Sequence, residues 1–130
     1  MGLDINSYLD FHAKALQVRD KRASQIANNL ANVNTPQYQA RDLDFKQALK
    51  SQIDASASSM TKSQPGHIDI GSDLSAQLKY RIPGSTSMDG NTVDKDLEAA
   101  AYAKNALDYQ ASLSFLDGKI KSMMRAFRGE

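Results

Sequence analysis

Tyr102, Ala106, Tyr109, Leu113, Leu116, Ile120, Met123 and Phe127 fall at alternating steps of four and three within YAKNALDYQASLSFLDGKIKSMMRAF (102–127). A seam of that period, kept for over three heptads, predicts a long amphipathic helix that lies against another helix. A second stripe, Val93, Leu97, Ala100, Leu107 and Ala111, occupies another face of its first half, so two partner helices can be touched there. Asp89-Gly90-Asn91-Thr92 is turn chemistry just before the seam, with Asn91 or Thr92 as candidate caps. Asp94, Asp96 and Glu98 follow in the early turns, while Lys119, Lys121, Arg125 and Arg128 crowd the other end, as the helix dipole favours. From Thr92 to Arg128 such a helix is roughly 55 Å long at about 1.5 Å per residue.

The opposite end of the chain carries a weaker seam. Leu9, Leu16, Ala23 and Leu30 recur every seven residues, accompanied by Ala13, Ile26, Ala27 and Val33, which predicts a second amphipathic helix from about Leu3 to Asn32. His12 and Arg19 sit on the edge of that stripe and suggest a narrow apolar face or a polar contact across an interface. Pro36 sets the boundary, because the residue before proline avoids helical geometry and Asn32, Asn34 and Thr35 are poor helix formers. The interface residues expected on the two helices are Leu9, Leu16, Ile26 and Leu30 on the first and the Tyr102 to Phe127 seam on the second.

Between them lies a polar middle, 35–91, rich in Ser from Ser51 through Ser75 and marked by turns at Gln64-Pro65-Gly66, Gly71 and Pro83-Gly84. Phe45, Leu49 and Ile53, four apart, predict a short helix after Asp42 or Asp44. Alternation at Leu74, Ala76, Leu78, Tyr80 and Ile82 predicts one strand, paired in the simplest arrangement with Ile68 to Ile70. The expected architecture is therefore all-α: a coiled-coil-like hairpin of terminal helices in one unit of 130 residues, with a short helix and strand in the middle.

Composition narrows the function. Apolar residues reach 41%, but much of that is Ala and aromatics are only 7%, so an elongated shape is expected rather than a globule with a large core. The net charge of +1 comes from interspersed signs, which argues against a nucleic-acid footprint. No cysteine is present, which removes disulfides and thiolate chemistry. Met1 to Asp10 has neither a basic start nor an apolar run, and no segment approaches the roughly 18 apolar residues of a membrane span, so neither a secretory signal peptide nor membrane insertion is expected. Asn6 breaks the myristoylation pattern after Met1-Gly2.

Catalytic and metal chemistry find no residues. His12 and His67 stand in unrelated contexts without further ligands at suitable spacing. Asp89 to Asp96 holds several oxygens but not the calcium-loop spacing, and Asp42 and Asp44 read as capping carboxylates. No phosphate-binding glycine loop and no nucleophile elbow occur, so no cofactor is expected and the chain reads as a structural subunit.

The most informative local string is Ala27-Asn28-Asn29-Leu30-Ala31-Asn32-Val33-Asn34-Thr35-Pro36-Gln37-Tyr38. Asn28, Asn29, Asn32 and Asn34 on or beside a helix are costly in propensity, since each side chain competes for backbone hydrogen bonds. Something must compensate, and amides that bond a neighbouring backbone and fix register would do so.

This string resembles the N-terminal signature of the bacterial flagellar axial proteins of the rod and hook. Met88-Asp89-Gly90-Asn91-Thr92-Val93-Asp94, with Asp96 and Glu98, is similar to the proximal-rod members, and so are Asn105-Ala106-Leu107-Asp108-Tyr109-Gln110-Ala111-Ser112-Leu113 and Pro65-Gly66-His67-Ile68. One departure is Gln37, where the family pattern carries Gly after Pro36 for a tight turn.

The resemblance implies an assembly role for Asn28, Asn29, Leu30, Asn32, Asn34, Thr35, Pro36 and Tyr38, and for Asp89, Gly90, Asn91, Thr92 and Asp94. It also implies terminal helices that form a shared core in a torque-transmitting rod crossing the periplasm, and export through the flagellar type III apparatus. The partners implied are copies of the chain, other rod proteins, and ring and adaptor proteins at the rod base. Phe45 and Leu49 are similar to the four-apart motif with which early subunits dock at the export gate, although one side of a small core helix explains them slightly better. From another class of function, a soluble helical-hairpin adaptor or export chaperone is the alternative.

A lone two-helix unit has too little core, so the isolated chain is expected to be partly disordered and to gain order on assembly. Far-UV circular dichroism of the monomer should show incomplete helix. A cooperative, fully helical monomer would contradict this.

Overall fold

The computed structural model describes residues 5–57, 78–84 and 87–129. In chain order it holds helix α1 (Ile5–Ala31), strand β1 (Arg41–Leu43), helix α2 (Phe45–Ala57), strand β2 (Leu78–Tyr80) and helix α3 (Lys95–Arg128). Two long terminal helices dominate, as the seams require, and the middle contributes one short helix and a two-stranded ladder. The most extensive contact is between α1 and α3. They run antiparallel: the stretch before α3 meets the end of α1 through Asn91 and Asn32, while Asp108 and Ser112 reach back to Arg19.

The buried face of α1 differs from the seven-residue stripe. Ala15, Val18, Ile26 and Asn29 are buried, with Arg22 half-buried between them, at steps of three and four. Leu9 and Leu16 are half-buried, and Leu30 faces solvent. The cause is the middle segment, because β1 and α2 pack on the Val18 side. Val18, Leu43 and Ala48 form the core, with Phe45 and Leu78 packed against it.

The predicted strand is present at Leu78–Tyr80, but its described partner is β1, in antiparallel register with Arg41 opposite Tyr80 and Leu43 opposite Leu78. The expected pairing with Ile68 to Ile70 lies outside the described residues, as do His67 and the Pro65-Gly66 turn. Asp44 caps α2, its Oδ1 accepting the Gln47 N–H at 3.2 Å. Asp42 does not cap a helix. It accepts both arms of Arg22, Nε and Nη2, at 2.9 Å each, the Arg81 Nη2 at 2.8 Å and the Leu43 N–H at 2.7 Å. Arg81 Nη1 then reaches Glu98 Oε1 at 3.0 Å. One chain of charges thereby ties α1, β1, the residue after β2, and α3.

Helix α3 begins three residues later than the turn chemistry predicts. Its cap is Asp94, whose Oδ1 accepts the N–H groups of Asp96 at 3.0 Å and Leu97 at 3.2 Å. Neither candidate cap serves there, because Asn91 and Thr92 are engaged elsewhere. At the other end Gly129 closes the helix with φ of 74°, a left-handed conformation that a side chain would strain.

The face that α3 turns toward α1 is polar. Its buried residues are Glu98 and Asn105. Asn105 donates Nδ2 to the Arg19 carbonyl at 2.9 Å, and Arg19 donates to Asp108 Oδ2 and Ser112 Oγ at 3.0 Å each. The predicted seam lies one position round the helix. Tyr102, Tyr109, Leu113, Ile120 and Phe127 are exposed, while Leu116 and Met123 are half-buried.

Burial alone would raise the Asp42 carboxyl, but the hydrogen bonds from Arg22 and Arg81 outweigh it and hold it below the ordinary carboxylate range. A carboxylate held lower in the folded than in the unfolded chain contributes stability above its unfolded pKa, about 3.9, and that stability is lost as pH falls through the folded value. Asp42→Asn should therefore cost about 2 kcal/mol in urea unfolding near neutral pH and shrink the loss of stability on acidification. An unchanged acid limb would contradict the assignment.

Candidate functional site

Helix α1 cannot end cheaply. Its last turn carries no basic residue, and the carbonyls there need donors. The chain first tightens: the Asn32 N–H is shared between the carbonyls of Asn28 and Asn29 at 3.2 and 3.1 Å, and Val33 donates to Leu30 at 3.3 Å. Asn32 also turns its own Nδ2 onto the Asn28 carbonyl at 2.8 Å, and its Oδ1 accepts the Thr35 hydroxyl at 3.1 Å.

The carbonyls of Asn32 and Thr35 accept the N–H groups of Thr35 and Tyr38 at 3.0 and 3.3 Å, that of Val33 accepts no backbone donor among the described residues, and one side chain meets all three. Asn91 Nδ2 lies 3.0, 2.8 and 3.0 Å from the carbonyls of Asn32, Val33 and Thr35. Asn91 is buried, its Oδ1 accepts the Val93 N–H at 2.8 Å, and its own N–H is held by Asp89 Oδ1 at 3.1 Å. The residue expected to cap α3 caps α1 instead, at its C-terminal end.

The neighbouring backbones zip together around that contact. Gln37 donates its N–H to the Asp89 carbonyl at 2.9 Å, Thr92 donates to the Tyr38 carbonyl at 3.0 Å, and Ala40 donates to Thr92 Oγ1 at 2.7 Å. Gln39 Nε2 adds a bond to the Gly90 carbonyl at 3.2 Å. The turn here has no glycine in the first strand of contact, so Gln37 itself takes φ of 60°, and Gly90 opposite takes 74°. A Cβ on Gly90 would sit 3.7 Å from Gln37 Cα and Cγ, in ordinary contact, so backbone conformation and not space demands glycine there. The exposed Asp89 carboxyl is held below its usual range by hydrogen bonds from the Ser87 hydroxyl and the Asn91 N–H.

Asn29 performs the same office one turn earlier. Fully buried, it donates Nδ2 to the Arg41 carbonyl at 2.7 Å, and its Oδ1 accepts from Gln25, Tyr38 and the Arg41 N–H at 3.1, 3.3 and 3.3 Å. Of the costly asparagines, Asn29 thus binds the backbone of β1 and Asn32 the Asn28 carbonyl of its own helix.

Most residues of the two signature strings therefore meet in a single clasp: Asn28, Asn29, Asn32, Thr35 and Tyr38 on one side, Asp89, Gly90, Asn91 and Thr92 on the other. Asp94 stands beside it as the cap of α3. Leu30, Asn34 and Pro36 are exposed. Phe45 is half-buried against the core with the Arg19 guanidinium 4.1 Å from its ring centroid, and Leu49 is half-buried. His12 packs edge-on to Phe11 at 5.4 Å. Sequence reasoning missed Gln39, Ala40, Arg22, Arg81 and the partners of Glu98. For the arginines a signal existed, since Arg22 falls on the same face as Val18 and Ile26. Among the described residues no group of three His, Asp or Glu gathers as a metal site.

The clasp makes a testable demand. Asn91→Ala leaves the Val33 carbonyl without its donor and removes a second donor from those of Asn32 and Thr35, and should cost about 1 to 2 kcal/mol in chemical unfolding. Asn91→Asp, nearly the same shape, should cost more, because it replaces the donor by a charge facing carbonyl oxygens. Equal, small effects of the two substitutions would refute the capping role.

The sequence profile of the family described as flagella basal body rod protein matches residues 9–39, which take in α1 and the first side of the clasp. The chain is 43% identical over 121 residues to the flagellar basal body rod protein FlgB of Proteus mirabilis strain HI4320, covering 88% of each chain. To FlgB of Escherichia coli K12 the identity is 43% over 131 residues, covering 95% of each. FlgB of Aeromonas hydrophila is 35% identical across 100% of this chain and 99% of its own length. Similarity of this depth spans both helices and the clasp that joins them, and the chain belongs to the FlgB family of flagellar basal body rod proteins.

Proposed function

We propose that this chain forms the proximal part of the rod by stacking its clasped helix pair against copies of itself and against other rod proteins, and that the stack transmits torque from motor to hook and filament. The observation that carries this is a reversal of the usual pattern on α3: its buried residues are polar, Glu98 and Asn105, while most of its large apolar side chains are exposed. Leu107, Leu113, Phe115 and Phe127 on α3 are all exposed. Large exposed apolar surface on a monomer marks an interaction site. Covering it would yield about 25 cal/mol per Å² removed from water, shared over many neighbours.

The clasp supplies what a shaft needs at each subunit. Torque shears one helix along its neighbour, and directional hydrogen bonds at a helix end resist such sliding better than non-directional apolar contact. The chain acts mechanically and not as an enzyme. It comprises one rod-type unit, and its further partners are the ring and adaptor proteins at the rod base and the type III export apparatus. Export proceeds through that apparatus, and Phe45 and Leu49 are available to the export gate while the chain is unfolded. Once folded, Phe45 serves the core.

The decisive experiment is genetic and structural together. Cells in which Asn91→Asp or a double substitution of Leu113 and Phe127 by Asp replaces the natural chain should lose swimming and yield no rods when basal bodies are purified. If rods persist and carry filaments, the reading fails, and an adaptor or chaperone role takes its place.

A further inference from the structure

Between α1 and α3 runs a groove of about 210 Å³ lined by Asp20, Ala23, Tyr102, Asn105, Ala106 and Tyr109. Its chemistry is one-sided. Asn105 is almost fully buried; its Nδ2 is spent on the Arg19 carbonyl, and its Oδ1 has no hydrogen-bond donor. A buried acceptor left in this state is costly, and the cost is removed when a donor arrives. Asp20 adds an exposed carboxylate that has no ion pair among the described residues. Tyr102 and Tyr109, one heptad apart, frame the groove with two exposed rings. Carboxylate, orphan carbonyl and aromatic faces together suit a guanidinium, which is planar, rich in donors and attracted to ring faces.

We propose that this groove receives a guanidinium from the last turns of α3 of a second copy, Arg125 or Arg128; this rests on the reading of the chain as a self-stacking rod subunit. Between Asp117 and Gly129 the sequence carries Lys119, Lys121, Arg125 and Arg128 and no carboxylate, a cationic stretch on a chain of net charge +1. Lys121 already pairs with Asp117 at 2.6 Å. Met124 and Phe127 beside the arginines are exposed and would cover the apolar rim of Ala106 and the tyrosines. The donor cannot come from the same α3. Arg125 lies 16 residues beyond Tyr109, about 24 Å along one continuous helix.

The absence of cysteine gives a clean test. The full chain carrying Ala106→Cys and Ala126→Cys replaces the natural one in cells, and isolated basal bodies are oxidised with copper phenanthroline, which takes up the two thiol electrons. Disulfide-linked dimers and longer ladders of this chain are expected from the double variant and not from either single one. Adding Asp20→Arg should lower the linked fraction about tenfold, and adding Arg125→Asp with Arg128→Asp to that variant should restore it. Basal bodies that contain the double variant but yield no linked species, or links only to a different protein, overturn the proposal and leave the rod reading intact. If the chain is absent from purified basal bodies, the rod reading itself fails. Circular dichroism of each purified variant against the parent identifies a folding defect, and a variant that keeps its helix yet still links without Asp20 also refutes the ion pairing.

Discussion

The Val33 carbonyl in the turn that closes α1 needs a donor, and the buried Nδ2 of Asn91 supplies it at 2.8 Å while lying 3.0 Å from the carbonyls of Asn32 and Thr35 on either side. That requirement sets the relation of the two long helices, because a donor buried at a helix end tolerates neither a slip along the axis nor a turn about it. From this fixed point the register runs outward through Thr92 and Tyr38, then Glu98 and Arg81, then Asn105 and Arg19, and ends with Asp108 and Ser112 on the same arginine. Each contact is polar and directional, so the sum defines one alignment where an apolar seam would admit several.

The arrangement leaves the greasy surface for others. Inside a solitary protein such an inversion would be wasteful, since polar contacts contribute little net stability against their desolvation. In a family of rod subunits it divides the labour. On the proposed function, contacts within the chain specify geometry, and contacts between chains would supply the driving force. The core of Val18, Leu43, Ala48 and Phe45 is correspondingly small and sits beneath the middle segment instead of along the helix pair.

Helical periodicity made the terminal helices legible, together with the ends marked by Pro36 and by the acidic and basic turns of α3. The asparagine string was legible as a place where something had to compensate a poor propensity. The partner of each amide was hidden, because Asn91 is separated from Asn32 by 59 residues and nothing local in the sequence indicates which helix it will cap. The seam was hidden in a subtler way. Residues 102, 109 and 113 are spaced to meet a helix, and the period does not say whether that helix belongs to the same chain. Asp42 looked like a cap because aspartate before a helical run usually is one, and only the convergence of Arg22 and Arg81 turns it into an ionic hub. Strand β1 is too short to announce itself by alternation, so Ile68 to Ile70 was the partner the sequence offered to β2.

Amide hydrogen exchange read by mass spectrometry, on the isolated chain and on intact basal bodies, tests the division of labour most directly. The account predicts that the amides of Gln37, Ala40 and Thr92 exchange slowly in both states, while those of residues 107–127 are poorly protected in isolation and become protected by orders of magnitude on assembly. Equal protection of 107–127 in the two states, or fast exchange at Gln37, Ala40 and Thr92 within the rod, would contradict it.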